Sequence, residues 1–243
     1  MMKYTYIVLV ILLSNFDAAA QGRLDKDTIS TSEGPLIMTF IGHASLMFEW
    51  NGKVIFFDPS SRQANYYKFP KASMIFVTHD HGDHCDPAAL KAITTEKTKT
   101  FMSPLAHEKW GQGMVLRPDD NVTIDGIHIQ VLPAYNMVHK RPDGRPFHVK
   151  GENNSYLITL GNKRIFVAGD TENTPEMKAL KNIDIAFLPM NLPYTMTPEM
   201  VADAAKAFKP KILYPYHYGN TDLNKLVELM KDEKEVDVRI RKF

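Results

Sequence analysis

Cysteine is almost absent from this chain: Cys85 is the only one in 243 residues. A single thiol excludes an intramolecular disulfide, and no cysteine lies near the amino terminus to carry a lipid. Charge of one sign is equally scarce. Lys and Arg number 29 against 28 Asp and Glu, a formal net charge of +1, without the basic excess that a nucleic-acid surface requires. There is no internal repeat, low-complexity tract or linker-like run. Nor does any apolar run reach the roughly 20 residues of a membrane-spanning helix. A shorter one, Tyr6 to Leu13, follows Lys3 and precedes Ala18-Ala19-Ala20. A positive residue, a short apolar run and small residues at a cleavage point have the form of a secretory signal peptide. We expect residues 1–20 to be removed, leaving Gln21 as the mature terminus of a secreted or periplasmic protein with no stable membrane anchor. An uncleaved anchor is the competing reading. Residues 21–35 are polar and read as a loosely held lead-in. Residues 36–243, long enough to bury a large core, read as one domain.

Histidine is what the chain concentrates. Of nine in total, three fall within six positions, in Met74-Ile-Phe-Val-Thr-His-Asp-His-Gly-Asp-His-Cys-Asp86. Met74 to Val77 reads as a short buried strand, which empties into His79, Asp80, His81, Gly82, Asp83 and His84. Three imidazoles and these carboxylates on one loop would repel one another or desolvate badly when charged. A divalent metal removes that conflict, because neutral imidazole and ionised carboxylate are what it coordinates. By spacing, His79 and His81 reach one ion, while Asp83 and His84 reach a second. The bland alternative is a polar surface turn before a helix.

The arrangement His-x-His-x-Asp-His after a buried strand resembles the metallo-β-lactamase-fold superfamily, and the rest of the chain extends the likeness. Strands at Leu36–Ile41, Leu46–Trp50 and Val54–Phe57, the last two joined by the hairpin signal Asn51-Gly52, lead to Asp58-Pro59. The resemblance makes Asp58 a structural support behind the metal ligands. His43, at the end of the first strand, reads as a support, a substrate-facing group or an ordinary turn histidine. His107 and His128 have no partners in the pattern and read as surface and structural residues.

After a hairpin at Asp125-Gly126 comes Pro133-Ala134-Tyr135-Asn136 and a polar loop to Asn154 holding His139 and His148. Spacing does not choose between these two. The segment is similar to a bacterial and archaeal branch distantly related to the ascorbate-phosphate lactonases, in which a Pro-Phe-His turn follows; Pro146-Phe147-His148 matches it, favouring His148. The chain departs from the branch at Asn153-Asn154-Ser155, where small, glycine-rich residues are usual. Lys140, Arg141, Arg145 and Lys150 form a basic rim suited to an anionic substrate, or a solvated loop of ordinary charges. Gly169-Asp170-Thr171 follows another buried strand, and the resemblance makes Asp170 the carboxylate that bridges both ions. His217, at a later strand end, matches the last ligand. Tyr194 and Met196 read as pocket-lining or as core.

The resemblance implies an α/β fold, a four-layer αββα sandwich with the site along one edge. It also implies two divalent metal ions, zinc or manganese, with iron admissible for an all-nitrogen and oxygen donor set. His79, His81, His148 and Asp170 would hold one; Asp83, His84, Asp170 and His217 the other. A water between them would act as hydroxide near neutral pH, with Asp83 shuttling the proton. The expected activity is hydrolysis of an ester-type bond, a phosphodiester or a lactone, in a small molecule. A β-lactamase is disfavoured, because those enzymes lack the bridging aspartate. An iron-dependent oxidoreductase using the same cage, or a metal-holding protein without turnover, are the alternatives. The sequence does not set an oligomeric state.

Overall fold

The computed structural model of the protein describes residues 24–243, so the expected signal peptide and its cleavage point lie outside the described residues. Among the described residues no helix is long and apolar enough to cross a membrane. Strands β1 (Lys26–Thr31), β2 (Gly34–Gly42), β3 (Ser45–Trp50) and β4 (Lys53–Phe57) form an antiparallel meander. Then β5 (Met74–Val77), β6 (Lys99–Met102) and β7 (Met114–Val115) extend the same sheet in parallel. A second sheet repeats that plan. Its members β8 (Asn121–Ile124), β9 (Ile127–Ala134), β10 (Asn153–Leu160) and β11 (Lys163–Val167) are antiparallel. The remaining three, β12 (Ile185–Pro189), β13 (Ile212–Tyr216) and β14 (Asp237–Val238), are parallel. Each sheet therefore has seven strands in chain order, three antiparallel pairings followed by three parallel ones.

Local chemistry sets these elements. Asn51-Gly52 and Asp125-Gly126 hold both residues at positive φ, 47° and 72° in the first and 51° and 82° in the second. That is the type I′ geometry whose twist suits a two-residue hairpin. Helices α1 (Pro87–Ile93), α2 (Pro104–Trp110), α3 (Pro175–Lys178) and α4 (Pro198–Phe208) all begin with proline, whose fixed φ and missing N–H cost nothing there. Asp86, Thr174 and Thr197 cap three of them by accepting from Ala88, Met177 and Met200 backbone N–H groups. Asp222 does the same for α5 (Leu223–Met230).

The sheets face each other across an aromatic seam. Phe57, Phe76 and Phe101 stack along the first, with centroids 4.9 and 5.0 Å apart. Phe187 and Tyr214 stack on the second at 5.0 Å, and Phe48 meets Phe187 across the gap at 5.8 Å. Each such ring, buried, contributes about 1.5–3 kcal/mol. Beyond the seam, α1 and α2 cover the outer face of the first sheet through Leu90, Ile93 and Ala106. On the second sheet Met177, Val201, Phe208 and Leu226 bring α3, α4 and α5 onto its outer face. This is the four-layer αββα sandwich expected from the resemblance.

The lead-in expected over 21–35 is not loose from Lys26 onward: β1 pairs with β2 along its whole length. Its inward positions are Asp27, Ile29 and Thr31, so only one apolar residue marks the buried face. Asp27 is also clasped by Arg241, whose Nε and Nη2 donate at 2.9 and 2.8 Å.

Candidate metal centre

The site is built where strands end. Thr78 closes β5, and its backbone N–H and hydroxyl each donate to Asp58 at 2.7 Å. Three residues that follow strands hold positive φ although none is glycine: His43 at 54°, Asp58 at 43° and His217 at 46°. Such backbones cost about 1–3 kcal/mol each and collect at functional sites. At Gly169 (φ 63°) an added Cβ would lie 2.8 Å from Thr78 Cβ and 3.0 Å from Asn154 O. Glycine there lets the chain bring Asp170 against the histidine loop.

Asp170 is the hub. Its Oδ1 lies 3.3 Å from both His84 Nε2 and His217 Nε2. Its Oδ2 lies 3.3 Å from His148 Nε2 and 3.9 Å from His79 Nε2. The His81 ring stands 4.6 Å from His79 and 5.0 Å from His148. Asp83 Oδ2 lies 3.8 Å from both His84 and His217. All seven residues singled out in the sequence thus meet at one place. Together with His43 they form two groups with donor atoms within 4.8 Å, His79, His81, His148 and Asp170 on one side and His43, Asp83, His84 and His217 on the other.

Three of the ring nitrogens facing away are already engaged, whereas His217 Nδ1 is buried without a partner. His84 Nδ1 is 2.8 Å from Asp58, His79 Nδ1 is 3.0 Å from Thr78 Oγ1, and His148 Nδ1 is 2.8 Å from Asn136 Oδ1. Those contacts orient the rings and leave Nε2 pointing inward. His43 stands against the cluster: Nε2 sits 3.0 Å from Asp83 Oδ2, and its ring lies 3.7 Å from that of His217. His139 does not enter the cluster; its Nδ1 lies 2.8 Å from Glu172 instead. Glu172 was not visible as a functional residue, since a lone glutamate directly after Gly-Asp-Thr carries no pattern. It is buried and accepts the backbone N–H groups of Met137, Val138 and His139, each at 2.7 Å, and the Asn136 amide at 3.2 Å. His107 and His128 stand outside both groups.

Charge states follow from this packing. Burial, with His84 and His148 nearby, holds His79 well below the usual imidazole range. Burial, with His84 and His43 adjacent, brings His217 down to about 4. Burial would also lower His84, but Asp170, Asp58 and Asp83 raise it to about 9. Burial pushes Asp170 and Asp83 upward, yet the histidines around each outweigh it and hold both below the ordinary carboxylate range. His79, His81 and His217 are thus biased towards the neutral form and Asp83 and Asp170 towards the ionised one, while His84 is biased to hold a proton. His79 Nε2, His148 Nε2 and Asp170 Oδ1 are buried without hydrogen-bond partners. Orphaned donors of this chemistry, aimed at one another, fit divalent cations.

A cavity of about 320 Å³ opens over the cluster, with Arg141, Phe147, Asn191 and Tyr194 on its outer wall. Met196, also considered for this wall, packs instead beneath it in the core of the second sheet. Asn154 turns into the seam, donating to Leu116 O at 2.8 Å and Tyr156 Oη at 3.2 Å.

Residues 37–217 match the family model described as a beta-lactamase superfamily domain. The chain belongs to the beta-lactamase superfamily. Within that superfamily, a metal-dependent hydrolase of Thermococcus kodakarensis is 30% identical over 216 residues, 81% of this chain and 93% of its own. A Parabacteroides distasonis structure, provisionally named a metal-dependent hydrolase, shares 44% identity at a TM-score of 0.87, covering 91% of this chain and all of its own. A metallo hydrolase of Ignicoccus hospitalis shares the superfamily fold at 22% identity and a TM-score of 0.69, over 85% of this chain and 95% of that one.

Proposed function

We propose that this metal-dependent hydrolase of the beta-lactamase superfamily is dinuclear and cleaves an ester-type bond, a phosphodiester or a lactone, in a small molecule. The observation that carries the reading is Asp170, one oxygen facing His84 and His217, the other facing His148. His79, His81, His148 and Asp170 would hold one cation, and Asp83, His84, Asp170 and His217 the other; zinc, manganese and iron all suit these donors. Two such cations supply Lewis acidity, lowering the pKa of a nearby water towards about 7 and polarising the oxygen of the scissile bond.

The protein's own groups do the rest. Asp83 is ionised and half-buried at the cavity floor, so it can take the proton of the attacking water. His43, bonded to it at 3.0 Å, offers that proton a way out to solvent. Phe147 and Tyr194 give the cavity an aromatic wall against which a substrate can be oriented. Asp58, Thr78 and Asn136 keep the imidazoles from turning, which preserves the geometry through turnover.

The test is initial-rate hydrolysis by residues 21–243, stripped of metal and reloaded with zinc or manganese, on bis-p-nitrophenyl phosphate and on a neutral lactone. Metal-dependent cleavage of either supports the reading. Silence on both with both metals, together with oxygen consumption after iron loading, would replace it with the oxidoreductase alternative. We also propose that residues 1–20 direct export. Amino-terminal sequencing of protein recovered from the exported fraction should begin at Gln21.

A further inference from the structure

We infer that Arg141 forms an anion-reading subsite beside the metal cluster, so the natural substrate carries a phosphate or carboxylate oxyanion next to the bond that breaks. This inference rests on the hydrolase reading and narrows its substrate class. The basic loop offers four cations, and the structure separates them. Arg145 is paired with Asp143 at 2.7 Å, and Lys150 with Glu176 at 2.6 Å. Lys140 is exposed and lines neither cavity at the site. Arg141 alone of the four makes no ion pair among the described residues while lining the cavity over the cluster.

Its position is fixed rather than swinging. Lys140 and Pro146 form an antiparallel bridge, and Arg141 N–H donates to Arg145 O at 2.7 Å, which closes the loop into a tight turn. The guanidinium lies 5.2 Å from the Phe147 ring centroid and donates to Phe147 O at 3.3 Å through Nη2. Phe147 is in turn braced edge-on by Tyr194 at 5.1 Å. A half-buried guanidinium with one backbone acceptor keeps most of its five donors for a ligand. The same residue also lines a second hollow, of about 190 Å³, shared with His81, Phe147 and His148 and with the carboxylates of Asp80 and Glu152. Those carboxylates disfavour an anion there, so the oxyanion is read in the cavity over the cluster. A planar fork matches an oxyanion with two parallel hydrogen bonds, which a lysine cannot reproduce.

The experiment compares native protein, Arg141→Gln and Arg141→Lys, each metal-loaded, on matched esters. Mono-p-nitrophenyl succinate and p-nitrophenyl acetate share a leaving group and differ by a carboxylate; bis-p-nitrophenyl phosphate supplies the phosphate. The expected result is an anionic-to-neutral ratio of kcat/KM that falls about tenfold to a hundredfold in the Gln variant, with partial rescue by Lys. Sensitivity confined to the succinate or to the phosphodiester tells which oxyanion is read. A ratio unchanged within twofold overturns the inference and leaves the hydrolase reading intact. Binding of phenylphosphonate, followed by calorimetry, gives a readout free of turnover. If every ester is inert, tenfold weaker phenylphosphonate binding by Arg141→Gln still supports the subsite, and equal or absent binding overturns it.

Discussion

Replacing Glu172 by glutamine keeps the shape of the side chain and removes its charge. One oxygen of Glu172 accepts Met137 and Val138 N–H, and the other accepts His139 N–H and the Asn136 amide. Either orientation of the new amide therefore turns an NH₂ towards two existing donors. Hydrogen bonds to a charged acceptor are worth about 1.5–3 kcal/mol each. Two of them set an upper bound near 6 kcal/mol, and because Met137 and Val138 are exposed, water recovers part of it. We expect a loss of about 2–4 kcal/mol, a fall in melting temperature of about 4–16 °C at this chain length. A second effect passes through Asn136, which positions His148 through both the backbone N–H and Nδ1, at 2.8 Å each. Loss of such an outer partner lowers metal affinity by about 10–100-fold. The dependence on pH has a definite sign. Burial would raise the Glu172 carboxyl, but the three backbone N–H groups and Asn136 hold it below its usual value. Its contribution is therefore complete above about pH 4.5 and fades as pH falls through the lower folded-state value. The gap between native and variant melting temperatures should close in acid. A Gln variant that melts within 2 °C of native at pH 7 and binds metal as tightly would refute the reasoning.

Three further outcomes are expected. On the proposed dinuclear reading Asp170→Ala should lose metal and hydrolysis together, as measured by elemental analysis after desalting and by initial rates; two ions still tightly held would defeat the proposed bridging role. Gly169→Ala meets Thr78 Cβ at 2.8 Å on a backbone with φ of 63°, so urea unfolding should report about 2–4 kcal/mol of destabilisation. Asp27 is opposed by burial but held below the usual carboxylate range by its bonds to Arg241 and Tyr214. Asp27→Asn should thus cost about 1–2 kcal/mol at pH 7, a difference that vanishes as pH falls through the depressed value; a constant difference down to pH 2 would contradict this.

Much of the fold was legible because its signals are local. The Asn-Gly and Asp-Gly turns, and proline behind Asp86, Thr174 and Thr197, mark their elements within a few residues. Strand β1 was not legible, because a single apolar residue, Ile29, faces inward and the strand is held by a charge pair to Arg241, over two hundred positions away. The candidate site divides the same way. His79, His81, Asp83 and His84 stand out by crowding, whereas Asp170 and His217 are isolated and surfaced only through resemblance. The choice of His148 over His139 had no signal in spacing and rested on the likeness of Pro146-Phe147-His148 to the branch; its physical cause, Glu172 holding the His139 end of the loop, is visible only in three dimensions. The doubled sheet plan was equally hidden, since matching pairings need no matching residues.

That doubling has a consequence for how the protein holds together. Residues 26–115 build one sheet and residues 121–238 the other. His79, His81, Asp83 and His84 come from the first half; His148, Asp170 and His217 come from the second. Neither half alone owns a complete cage for either ion. Any cation bound there is a cross-link between two similar bodies, so assembling the chemistry and locking the halves are a single event. If the proposed cations are bound, chelation should act on this protein as a wedge would, loosening the seam from the edge where the ligand side chains meet.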